Sequence, residues 1–528
     1  MISLELQKFI FEDSPSRRAL LSYLPQCEKE YCVQVFRNHS FELVEHTIGA
    51  YLDYAGIGIS FCYSGYDDSL SFLELDPQAD LVMIWIDTTR YISKTAESFL
   101  NERIAQLRTR FSRPILLVPF GEKIHVSQTG VIVFNLSEIE SDFGTKFIDK
   151  RAERVTGTLL SSRAMLAISR MLGLRYFPAL LRPALKAILV DLDNTLYRGV
   201  LGEDGINGVV LTKGHRQLQE KLKDFSKEGF FLCAVSKNDA EDVEQLFGTR
   251  DDFPLRKEDF SKILASWDSK ANSIKKIAQF LNIHPDSMVF VDDNIGELTA
   301  VKMAFPGIRL VLAGEDGAST CHVLKEFPGL WKISGSEDDT KRKNDVKANE
   351  QRQILQKKLS VEEYIRSLEI HLKFSFDNMQ QLNRIFELAN KTNQFIFNYK
   401  RYTLAEVEER IRRERYAVVS ISLADKLSDS GLIGVCVGRE EKDYVVIEEC
   451  FISCRALGRG IDDVIVLGAI DGIAHRFGKS RVKVLFQRGE RNTPAKQFIE
   501  QHLCGYLENP LEFQFEIPKD LLTVEMLR

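Results

Sequence analysis

Residues 186–199 read Lys-Ala-Ile-Leu-Val-Asp-Leu-Asp-Asn-Thr-Leu-Tyr-Arg-Gly, KAILVDLDNTLYRG. Four apolar residues, Ala187–Val190, run straight into Asp191, with Asp193 two positions on. Such a short apolar run is the pattern of a strand buried on both faces of a parallel sheet. A parallel strand delivers its last residues to the crevice at the carboxyl ends of the sheet, where open α/β folds place their ligands. Two carboxylates leaving a strand together can divide a displacement between them. One attacks phosphorus and the other protonates the leaving oxygen.

Working outward, three more polar residues stand at ends of predicted elements. Ser236 closes the apolar run FFLCAVS (230–236). Lys270 opens a predicted helix, SKANSIKKIAQFLNI (269–283). Asp292-Asp293 closes SMVFVDD (287–293). Two anionic strand ends facing a phosphate need a hard cation between them, and Mg²⁺ bound through carboxylates and phosphate oxygens suits this. A hydroxyl and an ammonium hold phosphoryl oxygens as charge develops. The spacing adds one inference. Ser236 lies 43 positions after Asp193, and Lys270 lies 34 after Ser236, which leaves no room for a large cap domain. The site is expected to be open, or covered by another part of the protein or a partner, and suited to a large or tethered substrate.

With DLDNT, Ser236, Lys270 and VDDN on the page, this region resembles the haloacid dehalogenase (HAD) superfamily. The resemblance implies Asp191 as nucleophile through an aspartyl-phosphate, and Asp193 as general acid and then base. It also implies Mg²⁺ held by Asp191, the Asp193 carbonyl and Asp292, with Asp293 close by. Thr195, Asn194, Lys237 and Asn238 are the implied substrate and phosphate contacts. The surrounding residues narrow the resemblance. DLDNTLYRGVLGEDGINGV, VSKND (235–239), WDSKANSI (267–274) and FVDDNIGE (290–297) look like the FkbH-like family, as do KTNQF (391–395), SLAD (422–425) and ISCRALGRGID (452–462). Membership implies transfer of the glyceryl group of 1,3-bisphosphoglycerate, with loss of phosphate, to the phosphopantetheine thiol of an acyl carrier protein in a polyketide-type pathway. The chain departs from the family at Val235 where CSKN is usual, at Tyr197 where Trp is usual, and at Ile295-Gly296-Glu297-Leu298 where Pro-Ala-Glu-Arg is usual. Cys233 shares the strand face of Val235 and is a candidate thioester cysteine.

The 528 residues, with 44% apolar and 28% charged, correspond to about three domains at ordinary domain size. The fold class expected is α/β throughout. Residues 1–180 alternate strands (32–36, 57–63, 81–86, 114–120, 130–136) with helices and resemble an SGNH-hydrolase-like α/β sandwich. Its nucleophile position falls at His39 or Ser40, and only Asp142 and Asp149 stand where an Asp-x-x-His would lie. The expectation is therefore a non-catalytic domain that docks the carrier or covers the HAD site. Residues 181–335 form the Rossmann-like HAD unit with a minimal cap. Residues 336–358, the most polar stretch, read as a charged linker that can continue as a helix. Residues 359–528 mix consecutive strands with flanking helices and suggest a GNAT-like α+β domain.

In that last domain, Arg455, Gly458, Arg459 and Gly460 follow a strand and open a helix, which is the setting of a pyrophosphate or pantetheine cradle. Asn393 and Asn492 are the accompanying acyl-site candidates, with Thr392 and Gln394 beside the first. Cys454 precedes the loop and is either an acyl-thioester relay, with a thiol acidified by nearby arginines, or a small buried hydrophobe. The alternative function is a HAD phosphatase of a phosphorylated sugar or other metabolite fused to an acetyl-CoA-dependent N-acetyltransferase. A net charge of −6 gives no electrostatic case for nucleic acid. No apolar run of about 18 residues or secretory leader is read. Nine scattered cysteines, an odd number, fit a reducing cytoplasmic setting.

Overall fold

Three sheets follow one another along the chain in this computed structural model, which describes residues 2–11, 15–68, 70–91, 96–333, 338–392, 394–453, 456–457, 459–489 and 492–527. The first sheet contains β1 (Tyr31–Arg37), β2 (Ile59–Tyr63), β3 (Leu81–Asp87), β4 (Ile115–Phe120) and β5 (Val131–Val133). Its order is β2-β1-β3-β4-β5 and every pairing is parallel. β3 and β4 are buried along their whole length, as the apolar sequences Leu81–Ile86 and Ile115–Phe120 require, and β3 ends in the buried Asp87.

The second sheet contains β6 (Ala187–Val190), β7 (Phe231–Ser236), β8 (Lys262–Ala265), β9 (Met288–Asp292) and β10 (Arg309–Leu312), in the order β10-β9-β6-β7-β8. It too is parallel throughout. β6 is central, so the decisive sequence stretch lies in the middle of this sheet. Between Asp193 and Ser236 there is only a short flap before the helix Lys213–Lys227. The flap is closed by Arg198 and Val210, which exchange backbone hydrogen bonds of 3.0 and 2.9 Å. The expected absence of room for a large cap corresponds to this flap.

The first two sheets share apolar packing. Tyr51, Tyr54 and Leu174 of the first unit lie in one core with Ile188, Val190, Leu324 and Phe327 of the second. The helix Ile2–Ile10 lies along the free edge of β10. There the Gln7 side-chain amide donates to the Leu312 carbonyl at 2.9 Å and accepts the Leu312 N–H at 3.0 Å. An edge strand is thereby closed by one side chain. The helical run Ser162–Leu181 has the length and apolarity of a membrane span, but Ile168, Leu172 and Phe177 within it are buried in the core of the first unit.

The third sheet is mixed. Its order is β17 (Leu511–Glu512), β16 (Arg481–Val484), β15 (Val445–Ile452), β14 (Asp429–Glu440), β13 (Tyr416–Ala424), β11 (His371–Phe376) and β18 (Thr523–Leu527). β12 (Phe395–Ile396) pairs with the end of β15. The helix Asp462–Arg476 packs on one face through Val464, Ile465, Ala469 and Ile473. The charged junction continues as a 21-residue helix, Asp338–Lys358. Asp345, Val346 and Arg352 on this helix are buried. Val346 packs into the second unit's core, while the Asp345 and Arg352 side chains bond to residues of the third sheet region. It fastens the two units together.

Candidate active site

The carboxyl ends of β6, β7 and β9 converge with the start of the helix Lys270–Leu281. β6 is held to β9 in register, Val190 opposite Val291, and the Asp191 N–H continues the ladder to the Val291 carbonyl at 2.9 Å. This places Asp191 beside Asp292. Ser269 caps the helix, its hydroxyl accepting the Asn272 N–H, and so fixes Lys270 as the first helical residue.

Lys270 Nζ lies 3.0 Å from Asp191 Oδ2 and 2.5 Å from Asp292 Oδ2. All three side chains are buried. One carboxylate oxygen from each of Asp191, Asp292 and Asp293 lies within 4.8 Å of the others. Burial raises the pKa of Asp191, against the pull of Lys270, and Asp292 adds to the rise. Burial also raises Asp292 and Asp293. Lys270 is itself raised: burial opposes its charge, but the two carboxylates outweigh that. The ammonium is therefore charged, and three crowded carboxylates face a single positive charge. An all-oxygen donor set with surplus negative charge fits a small hard divalent cation. Asp191, Asp292 and Asp293 are the side chains that would hold Mg²⁺.

Asp193 is held apart from that cluster. Its Oδ1 accepts the Tyr197 hydroxyl at 2.8 Å and the Leu201 N–H at 3.0 Å, and its Oδ2 accepts Asn238 Nδ2 at 2.8 Å. The same Asn238 amide donates to Ser236 Oγ at 2.9 Å. Asn238 thus ties the second aspartate to the hydroxyl at the end of β7. Thr195 is fully buried and its hydroxyl has no hydrogen-bond partner among the described residues. Asn194 shapes the loop, with a left-handed φ of 51° and its side-chain oxygen accepting the Gly199 N–H. Lys237 pairs with Glu297 at 2.5 Å. Two contributors escaped the sequence reading. Tyr197 stood out only as a replacement for Trp, and Glu297 only as part of a departure from the family pattern. The four-residue spacing of Tyr197 from Asp193 was the available signal. At the mouth, Trp267 is 69% exposed and its indole N–H donates to Asp239, and Ile295 is 52% exposed.

Several expected residues lie elsewhere. Cys233 is corrected: it is fully buried in the interior of β7, packed with Leu189, Ile274 and Ile277, and no thioester chemistry reaches it there. Arg459 is also corrected. It is buried and bonded to Asp345 at 2.9 Å and Asp425 at 3.0 Å, so it anchors the helix Asp338–Lys358 and does not line an open cradle. Asn492 is fully buried, and it binds the Ile396 and Gln487 carbonyls and the Gly489 N–H. Gly460 has a φ of 76°, which suits glycine there. Asn393, Cys454, Arg455 and Gly458 lie outside the described residues. β15 runs beside β16 only over Val445–Ile447, and β12 takes its edge at Phe451 and Ile452. The buried Glu449 carboxylate locks this insertion by accepting the N–H groups of Phe397 at 2.7 Å and of Asn398 and Lys400 at 2.9 Å each. In the first unit, Ser40 donates to Glu42. His39 is stacked on Trp85 and hydrogen-bonded to Thr158, and burial lowers its pKa to about 3, so the ring is neutral.

No protein-family model and no curated protein matches this chain. Among solved structures, similar folds include HAD-superfamily hydrolases and phosphatases. The N-terminal part of a Bacteroides fragilis protein, containing a phosphatase domain and complexed with Mg, is 20% identical over 62% of this chain and 98% of that chain, with a TM-score of 0.45. A HAD-superfamily hydrolase from Ehrlichia chaffeensis is 14% identical over 26% of this chain and 97% of its own, with a TM-score of 0.20. The 3-deoxy-D-manno-octulosonate 8-phosphate phosphatase of Moraxella catarrhalis, solved with magnesium, phosphate and KDO, is 15% identical over 30% and 93%, with a TM-score of 0.21.

Proposed function

We propose that the second unit is an Mg²⁺-dependent phosphoryl-transfer site acting on 1,3-bisphosphoglycerate, and that the glyceryl group passes to the phosphopantetheine thiol of an acyl carrier protein. The observation that carries the phosphoryl chemistry is the Lys270 ammonium bridging Asp191 and Asp292 beside a separately held Asp193. The Asp191 carboxylate attacks the ester phosphorus, forming an aspartyl-phosphate as the bond between phosphorus and the oxygen on C3 breaks. Asp193 gives its proton to the departing oxygen. It then takes one from the water that hydrolyses the intermediate, releasing phosphate and restoring Asp191. Bound Mg²⁺ supplies charge neutralisation for the phosphoryl oxygens. The acyl phosphate at the other end of the substrate is already activated. Attack of a carrier thiolate on its carbonyl carbon expels the second phosphate and leaves glyceryl as a thioester.

Support for the finer part of this reading comes from the FkbH-like motifs in the sequence. The short flap and exposed Trp267 and Ile295 at the mouth suit a substrate presented with a carrier protein. Protein, Mg²⁺, 1,3-bisphosphoglycerate and a pantetheinylated carrier are mixed and the carrier is weighed by mass spectrometry. A glyceryl mass increment is expected, with Asp191→Asn still releasing the acyl phosphate but no longer the ester phosphate. Release of the ester phosphate that persists in Asp191→Asn overturns the nucleophile assignment, and absence of any acyl adduct on the carrier overturns acyl transfer. Trapping acylated peptides in the same mixture tests Cys454 as a relay.

A further inference from the structure

A cavity of about 460 Å³ lies between the first two units, at the end of the second sheet opposite the carboxylates. Its walls include Lys186, just before β6, and Arg309, the first residue of β10, so it opens on the amino ends of the strands. At about 3.3 Å per residue along β6, Asp191 is about 16 Å away. Four cationic side chains line it, Arg182, Lys186, Lys302 and Arg309, against one carboxylate, Asp286. From the rim, Glu30 pairs with Arg182 at 3.0 Å.

Two of the cations, Arg309 and Lys302, donate to backbone carbonyls. Arg309 donates to the Ala55 carbonyl at 2.8 Å, and Lys302 donates to the Ile308 carbonyl at 2.9 Å. Gly56 caps the helix Glu42–Ala55 with a φ of 67°, and a Cβ there would stand 2.9 Å from the Arg309 guanidinium. The glycine therefore admits the arginine. Burial lowers the pKa of Arg309 and the neighbouring Arg182 lowers it further; Lys302 is lowered by burial and by Arg309. Like charges are concentrated where water is scarce, which favours an anion. Prolines 178, 183, 306 and 328 give the walls an apolar component.

We propose that this inter-unit cavity binds a small organic phosphate, with Arg309, Arg182 and Lys302 on the phosphoryl oxygens and the proline-lined wall against its carbon skeleton. Its volume is that of a metabolite site, and guanidinium–phosphate pairing is strong and directional. The ligand touches both units and so bridges them, far from the phosphoryl-transfer site. The test is calorimetry on the full chain with inorganic pyrophosphate as probe, in EDTA so that the carboxylate cluster holds no divalent cation. One saturable site is expected, unchanged in Asp191→Asn and weakened about 10-fold or more in Lys302→Gln and in Arg309→Gln. Arg182→Gln, at a partly exposed side chain, gives the same reading if Arg309→Gln does not fold. Absence of binding overturns the proposal, as does binding that survives all three cavity variants or is lost in Asp191→Asn. None of these outcomes depends on whether the carboxylate site acts on 1,3-bisphosphoglycerate.

Discussion

Asn238 occupies a position where one side-chain amide decides two others. Its two hydrogen bonds, 2.8 Å to Asp193 and 2.9 Å to Ser236, fix the direction of the Asp193 carboxylate relative to the Ser236 hydroxyl. Tyr197 and the Leu201 N–H hold the other Asp193 oxygen, so removing Asn238 loosens the carboxylate without freeing it. If Asp193 is the acid of the proposed reaction, a loosened carboxyl transfers its proton less efficiently, while the cluster of Lys270, Asp191, Asp292 and Asp293 is left in place. Asn238→Ala should therefore lower kcat by on the order of 10- to 100-fold with little change in KM. Steady-state kinetics across pH checks this. An unchanged kcat would show that Tyr197 and Leu201 position Asp193 unaided.

At the scale of elements, the helix Asp338–Lys358 explains why a polar stretch can be structural. Asp345 accepts both Arg459 and Arg352, at 2.9 and 3.0 Å, together with the Ser428 and Ser430 hydroxyls at 2.7 and 2.8 Å; Asp425 takes the other ends of both arginines. Removing one partner of a buried set leaves charge uncompensated, at a cost of about 3–5 kcal/mol. Asp345→Ala should destabilise the third unit by that order in urea unfolding, and a change under about 1 kcal/mol would refute the anchoring role. The sequence could not reveal this, because Asp345 and Arg459 are 114 positions apart and each looks solvated in its own neighbourhood. The same locality explains Cys233: strand period placed it on one face with Val235, but only the packed helix on that face makes it core. Apolar runs ending in carboxylates were legible, since burial on both faces forces them. The strand β8 was not read at all, because its residues, Lys262–Ala265, are only half-buried and its apolar pattern is short.

Over the whole molecule, the first two sheets act as one body because they share one core, and this determines how the site is supported. The rings of Tyr51 and Tyr54 leave the helix Glu42–Ala55 and pack in the same cluster as Ile188 and Val190, the residues that carry the chain to Asp191. Tyr54 also meets Phe11 and Phe327 edge-on, at 5.5 and 5.8 Å. Arg170 adds an ion pair to Glu326 at 2.5 Å across the same junction. Truncating a buried aromatic costs about 3–5 kcal/mol, and in a shared core that loss falls on both units. Tyr54→Ala should therefore speed amide hydrogen exchange in β6 as much as in β1, although Tyr54 belongs to the first unit. Amides of β13, in the third sheet, should exchange as in the unaltered protein. Loss of protection confined to β1 would mean that the units unfold separately. Equal loss in β1 and β6 would mean that the first unit sets the stability of the strand that leads to Asp191.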